Sequence, residues 1–227
     1  MLKSSISFLL LSIFLFGKQV SAQEFSILGG ANISNMSFKI DKNNLAEIND
    51  FQPRIGGHLG LLIDLKLGKV FSIEPGLMFI TKGYKFDIPN QSDIRYKYNT
   101  FYMDIPVLAK FNWNPKEHFR VYGGLGPVFG LGLFGNLKNN GLSDAQKAYI
   151  LTNHPRLPLS KEKIDFKSDI KRLDVGLMFT GGINISNFRV GIFYTQGIRS
   201  ISYDHTTARN RVAGVHVGYT LQFRNEQ

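Results

Sequence analysis

Eight stretches of this chain alternate apolar and polar residues with a period of two, in the same sense from one stretch to the next. Successive side chains of a β-strand point to opposite faces, so each phase of such a pattern reads as a surface. In the second stretch Ile55, Gly57, Leu59, Leu61, Ile63, Leu65 and Leu67 share one face, with Arg54, His58, Asp64 and Lys66 on the other. In the fourth, Phe101, Met103, Ile105, Val107, Ala109, Phe111 and Trp113 oppose Tyr102, Asp104, Lys110 and Asn112. The apolar phase is read as a charge-free surface, and thirteen Asp, Glu, Lys and Arg residues fall in the opposite phase. A soluble barrel would place its apolar phase inside and its charges outside. The reverse arrangement, with strands facing hydrocarbon around a polar interior, is that of a transmembrane β-barrel.

The first 22 residues carry a different message. Lys3 supplies a positive start, Ile6 to Phe16 an apolar core, and Val20-Ser21-Ala22 a small-residue cleavage site. This is the pattern of a secretory signal peptide, too short to anchor a helix in a bilayer. Residues 23–227 are then expected to form one outer-membrane β-barrel domain, exported across the inner membrane of a Gram-negative cell. No cysteine is present, which excludes disulfides, thiol chemistry and lipoprotein attachment. The formal charge is +10, or +8 once Lys3 and Lys18 are removed with the signal. The basic residues are dispersed, with no basic helix or dense cluster, so nucleic acid is not expected as a partner.

The expected strands are residues 24–38, 54–67, 71–86, 97–113, 119–134, 171–185, 188–200 and 211–223. Short connections (68–70, 114–118, 186–187) alternate with long ones (39–53, 87–96, 135–170, 201–210), as in outer-membrane barrels with short periplasmic turns and long external loops. The expected fold is therefore an all-β, eight-stranded, antiparallel up-and-down barrel. Facing residues must point to the same side. Ile185 and Phe188 both point outward and permit a two-residue Ser186-Asn187 turn; extended along the strands, that register sets Asp174 opposite Arg199. Leu67 and Phe71 bracket a three-residue turn, which sets Asp64 opposite Glu74. Pro75, Pro106 and Pro127 each delete a ladder donor, so bulges are expected there. Phe111, Trp113, Phe119, Phe188 and Phe223 suggest a periplasmic aromatic girdle, and Tyr84, Phe86, Tyr96, Tyr98, Phe101, Tyr194 and Tyr203 an outer one.

The segment Tyr102-Met103-Asp104-Ile105-Pro106-Val107-Leu108-Ala109-Lys110 resembles the strand motif of the PorT-like outer-membrane β-barrel family of Bacteroidota. Gly29-Gly30-Ala31-Asn32, Glu74-Pro75-Gly76-Leu77 through Lys82-Gly83, and Gly123-Gly124-Leu125-Gly126-Pro127 also look like family positions. The resemblance implies an eight-stranded outer-membrane barrel of a group sometimes labelled porin, whose founding member is tied to a secretion machinery.

The thirteen charges of the inner phase are Glu24, Asp64, Glu74, Asp104 and Asp174 against Arg54, Lys66, Lys82, Lys110, Arg120, Arg172, Arg189 and Arg199. Eight strands enclose only enough room for their own side chains, and buried charges must be paired. The expectation is an interior ion network, drawn chiefly from Asp64, Lys66, Glu74, Asp104, Lys110, Arg120, Arg172, Asp174, Arg189 and Arg199. An Asp64–Glu74 pair could in principle serve a glycosidase, but a filled interior admits no substrate. Ser200, Ser202, Asp204 and His205 gather where a lipid-modifying triad would lie, yet neighbours in one loop rarely converge as a triad. His58, His118, His154, His205 and His216 show no metal-ligand spacing. In the long loop, Ser143-Asp144-Ala145-Gln146 fits a helix capping box. The reading is a non-enzymatic, monomeric barrel without cofactor or metal. It is expected to act through its external loops or as an accessory of an envelope or secretion assembly, with outer-membrane lipid and envelope or secretion proteins as partners. A narrow channel and a lipid-modifying enzyme are the alternatives.

Overall fold

The computed structural model describes residues 24–39, 51–88, 91–116, 118–153, 159–160, 162–166, 170–202 and 207–222. The signal segment, Tyr203, Asp204, His154, His205 and Phe223 lie outside these residues. In chain order the elements are β1 (Glu24–Lys39), β2 (Phe51–Lys66), β3 (Phe71–Ile88), β4 (Gln91–Lys116), β5 (Phe119–Asn139), α1 (Asp144–Asn153), β6 (Glu162–Lys163), β7 (Leu173–Ile185), β8 (Phe188–Gly197) and β9 (Thr207–Gln222). Hydrogen-bonded neighbours run β4-β3-β2-β1-β9-β8-β7-β5, and a β4–β5 pairing closes the ring; the two-residue β6 adds to the outer part of β5. The eight long strands thus form the closed barrel that the alternation implies. No helix among the described residues is long and apolar enough to cross a membrane.

The short turns follow from strand phase. Leu67 N–H donates to the carbonyl of Phe71 at 3.0 Å, closing the β2–β3 turn. Ile185 pairs with Phe188 across Ser186-Asn187, and Ser186 takes a left-handed φ of 52°, as tight two-residue hairpins require. The prolines behave differently from expectation. Pairing skips Ile63 and Asp64 opposite Pro75 and Glu74, Gly76 and Leu77 opposite Pro106 and Ile105, and Val107 and Leu108 opposite Pro127 and Gly126, yet register is unchanged across each gap. A missing N–H opens the ladder locally without inserting a residue. The register shifts lie instead at Pro53/His58, Asp87/Ile88, Phe101/Tyr102 and Trp113/Lys116. At the first of these, side chains replace the ladder: Thr81 Oγ1 accepts from Gly57 N–H at 2.9 Å, and Asn32 Nδ2 donates to Thr81 O at 2.9 Å.

On the outer side, β3, β4 and β5 run well past the expected ends. Segment 87–96, expected as a loop, continues the two strands and leaves only residues 89–90 between them. The extension is stable because its inner face is covered: Phe86, Ile88, Ile94 and Tyr96 pack with Ile150 of α1 and with Phe51, Leu142 and Leu159. Tyr84, Phe86, Tyr96 and Tyr98 therefore point inward and are not lipid-facing girdle residues. Phe101 and Tyr194 of the expected girdle do face outward, and Phe101 stacks between Phe79 and Phe134, with centroids 6.2 and 4.9 Å apart. At the other end Phe71, Phe111, Trp113 and Phe188 face outward as a periplasmic girdle. Helix α1 starts with the expected capping box: Gln146 N–H donates to Ser143 Oγ at 3.3 Å, and Ser143 N–H to Gln146 Oε1 at 2.9 Å. Beyond the barrel, Arg95 grips Asp87 through Nε and Nη2 at 2.7 and 2.9 Å, and these hydrogen bonds hold the Asp87 carboxyl below the usual aspartate range.

The outward phase is not charge-free along its whole length. Lys85, Lys97 and Arg211 stand on it at the outer ends of β3, β4 and β9, with Lys138 on the extension of β5.

Candidate functional site

The lumen is filled in layers. At the periplasmic mouth Glu24 accepts both terminal nitrogens of Arg120 at 2.6 Å, and Lys66 joins it at 2.9 Å. The next layer sets Glu74 between Arg189, at 2.7 and 2.9 Å, and Lys110, at 2.6 Å; Lys110 also pairs with Asp64. Tyr122 completes it, its hydroxyl accepting from Arg189 Nε at 3.0 Å and lying 3.2 Å from His216 Nε2. Asp64 and Glu74 are in register, as Leu65 opposite Ile73 requires, but they share Lys110 instead of an open cleft.

An apolar layer follows: Leu28, Leu62, Met78, Leu108, Val128, Met178 and Phe193. Above it Lys82 donates to Asp104 at 2.9 Å and to Asp174 at 3.0 Å, and Asn210 Nδ2 donates to Asp174 at 2.9 Å. The Lys82 ammonium stands 4.5 Å from the centre of the Tyr102 ring. Ile164, Phe166, Ile170 and Ile201 then cover the lumen from outside, Phe166 meeting Tyr102 edge-on at 6.0 Å and using the room that Gly132 leaves.

Several ion pairs cross the barrel. Around the ring β1 lies four strands from β5, and β3 four strands from β8. Glu24–Arg120 and Glu74–Arg189 therefore each join diametrically opposite walls, and Lys82–Asp174 joins strands three apart.

Of the ten residues expected in the network, Asp64, Lys66, Glu74, Asp104, Lys110, Arg120, Asp174 and Arg189 stand in these layers. Arg172 and Arg199 do not. Both are exposed: Arg172 lies over the Phe166 ring at 5.9 Å, and β8 ends at Gly197, two residues short of Arg199. The hairpin register does continue to Gly176–Gly197, but both Ile198 and Arg199 N–H then turn to Val175 O, so Arg199 never reaches the position opposite Asp174. Arg199→Ala should accordingly change stability by less than about 0.5 kcal/mol. Lys82→Ala and Asp174→Ala should each be strongly destabilising and coupled in a double-mutant cycle. Urea unfolding in lipid vesicles checks both statements, and coupling of Asp174 to Arg199 would contradict the geometry.

Sequence reading alone misses the roles of Tyr122 and Asn210, and the meeting of His58 with His216 at 6.3 Å and with Phe193 at 5.0 Å. The signal for the histidine pair is present in the register, because Gly30 is the partner of both. Of the serine-rich loop, Ser200 Oγ accepts the backbone N–H groups of Ser202 and Ala208 at 3.3 and 3.1 Å, a turn role. His118 is exposed at the β4–β5 turn.

A closed eight-stranded ring with an apolar belt, two aromatic rows and a charge-paired lumen defines an integral outer-membrane β-barrel protein. The chain belongs to the outer membrane protein beta-barrel domain family, whose model matches residues 19–203. The fold is similar to that of OprG from Pseudomonas aeruginosa, with 16% identity, 89% of this chain and 97% of that chain covered, and a TM-score of 0.50. Ail, the attachment invasion locus protein of Yersinia pestis, matches at 15% identity over 88% of this chain and 100% of its own, with a TM-score of 0.41. Neisserial surface protein A matches at 10% identity over 91% and 100%, with a TM-score of 0.43. No curated protein matches the chain.

Proposed function

We propose that the protein is a non-enzymatic, monomeric barrel of the PorT-like group, exported by the signal segment 1–22. Its lumen is structural, and its outer extension is the working surface, where it meets another component of the cell envelope. One observation carries this reading: three ionic layers, an apolar layer and a cover of four apolar side chains fill the lumen, while β3–β5 and α1 continue outside it as an ordered platform. A structural lumen leaves the platform as the place for recognition. Loops and their supports are where binding residues concentrate on rigid scaffolds.

The test is photo-crosslinking in cells from the exposed positions Ala148 and Leu151 of α1, with Lys69 at the periplasmic turn as control. A discrete envelope partner captured from α1 and absent from the control is expected, and equal capture from both ends would overturn the reading. In planar bilayers the purified barrel should show no conductance steps above background. Defined steps would favour the narrow-channel alternative, and a change in lipid A mass on overexpression would favour the enzyme.

A further inference from the structure

We infer that the outward face of the β3–β4–β5 extension binds the phosphate groups of outer-leaflet lipid headgroups through Lys85, Lys97 and Lys138. Lys85 is the direct cross-strand partner of Lys97, and Lys97 of Lys138, so three ammonium groups stand side by side on three adjacent strands. Lys163 of β6, opposite Asn136, adds a fourth at the flank. Directly opposed side chains in an antiparallel pair are about 5 Å apart, and like charges there oppose pairing.

Nothing among the described residues neutralises the row. No carboxylate of the described residues lies within ion-pair distance of any of the three lysines; Asp87 is held by Arg95 and Asp144 by Lys147. Asp87, two residues along β3 from Lys85, is taken by Arg95 and by Gln52 Nε2 at 3.1 Å. Asp93 lies four residues further out than Lys97, and Glu162, opposite Leu137, belongs to the other side of the sheet. Lysines also guard exposed sheet edges, but β4 is flanked on both sides by β3 and β5. The charges therefore call for an external anion.

Their height selects which anion. Lys97 is four residues beyond Phe101, the centre of the stacked aromatic row. That is about 13 Å along the strand, or about 10 Å along the membrane normal at the usual barrel tilt. The headgroup layer is about 5–8 Å deep on each side of the hydrocarbon, within reach of a lysine stem bending back from that height. Between the two rows Asn99 and Asn136 join across the strands at 3.2 Å and present amide groups to the same layer. Lysine is a flexible point charge suited to phosphate. This reading goes beyond the platform's protein partner and does not depend on one.

The experiment uses the folded barrel in phosphatidylcholine nanodiscs doped with diphosphoryl lipid A, with dephosphorylated lipid A, or with neither plus inorganic phosphate. The variant is Lys85→Gln/Lys97→Gln/Lys138→Gln, and the control Lys69→Gln/Lys116→Gln at the periplasmic end. Mass spectrometry after detergent extraction counts retained lipid, and heat-modifiable migration on gels confirms folding. We expect the native protein and the control to retain diphosphoryl lipid A, and the triple variant to retain about tenfold to a hundredfold less. In undoped phosphatidylcholine the triple variant should unfold at the same temperature as the native protein or higher, because repulsion is relieved. Equal retention by all three proteins, or no preference for the phosphorylated lipid, would overturn the assignment. Stabilisation by inorganic phosphate equal to that by lipid A would overturn the lipid as the source.

Discussion

Replacing Glu74 by alanine is expected to destabilise the barrel by about 3–5 kcal/mol, the cost of breaking a buried ion pair from one side. Glu74 is buried and accepts three hydrogen bonds, two from Arg189 and one from Lys110. Its loss leaves the Arg189 guanidinium with the Tyr122 hydroxyl alone among its described hydrogen-bond partners. Lys110 keeps Asp64 and so limits the damage on its side. Glu74→Leu combined with Arg189→Met should cost much less than the two single changes added together, because no uncompensated charge remains. The single Trp113, exposed at the periplasmic girdle, is a native fluorescence probe for urea titration in vesicles. Strict additivity, or a Glu74→Ala loss under about 1 kcal/mol, would mean that the layer contributes little.

A charge placed on the lipid face near mid-depth should cost about 2–4 kcal/mol. Leu61 points outward opposite Ile27 on one side and Leu77 on the other. Leu61→Arg and Leu177→Arg should therefore impair folding strongly. Strand phase alone would offer Gly60→Ser as a harmless comparison, but Gly60 faces the apolar layer, where a Cβ would stand 3.0 Å from Met78 Cγ and 3.1 Å from Leu28 Cδ1. Gly123→Ala is the better control, since a Cβ there meets nothing within 4 Å. The prediction fails if both arginine variants fold with the urea midpoint of Gly123→Ala.

The barrel and most of its lumen were readable because a single physical rule, alternation against hydrocarbon, acts on every crossing. That rule fixed which phase carries Asp64, Glu74, Lys110 and Arg189 inward, and the two-residue turn at Ser186 then fixed the β7–β8 register. It stopped being informative where hydrocarbon ends. Phe86, Ile88, Ile94 and Tyr96 alternate as well, but against α1 instead of lipid, so residues 87–96 resembled a loop and four inward aromatics resembled a girdle. Arg199 departs from its expected place for a related reason: the hairpin register points it at Asp174, while the backbone leaves the sheet at Gly197. The lysine row is not legible in the sequence because Lys85 and Lys97 sit on different expected strands and Lys138 falls within the expected loop 135–170; only the observed pairing makes them neighbours.

The ion pairs that span the lumen act on the barrel as spokes act on a wheel. An antiparallel ring without them resists stretching along its hydrogen bonds but can be squeezed toward an ellipse at little cost. Glu24–Arg120 and Glu74–Arg189 tie opposite walls at two heights, so any flattening must lengthen or compress a charged bond within a filled interior. Lateral pressure from the bilayer is thereby met by a cross-section of fixed shape, and that stiffness is passed upward to β3, β4 and β5, which leave the membrane as a firm bracket.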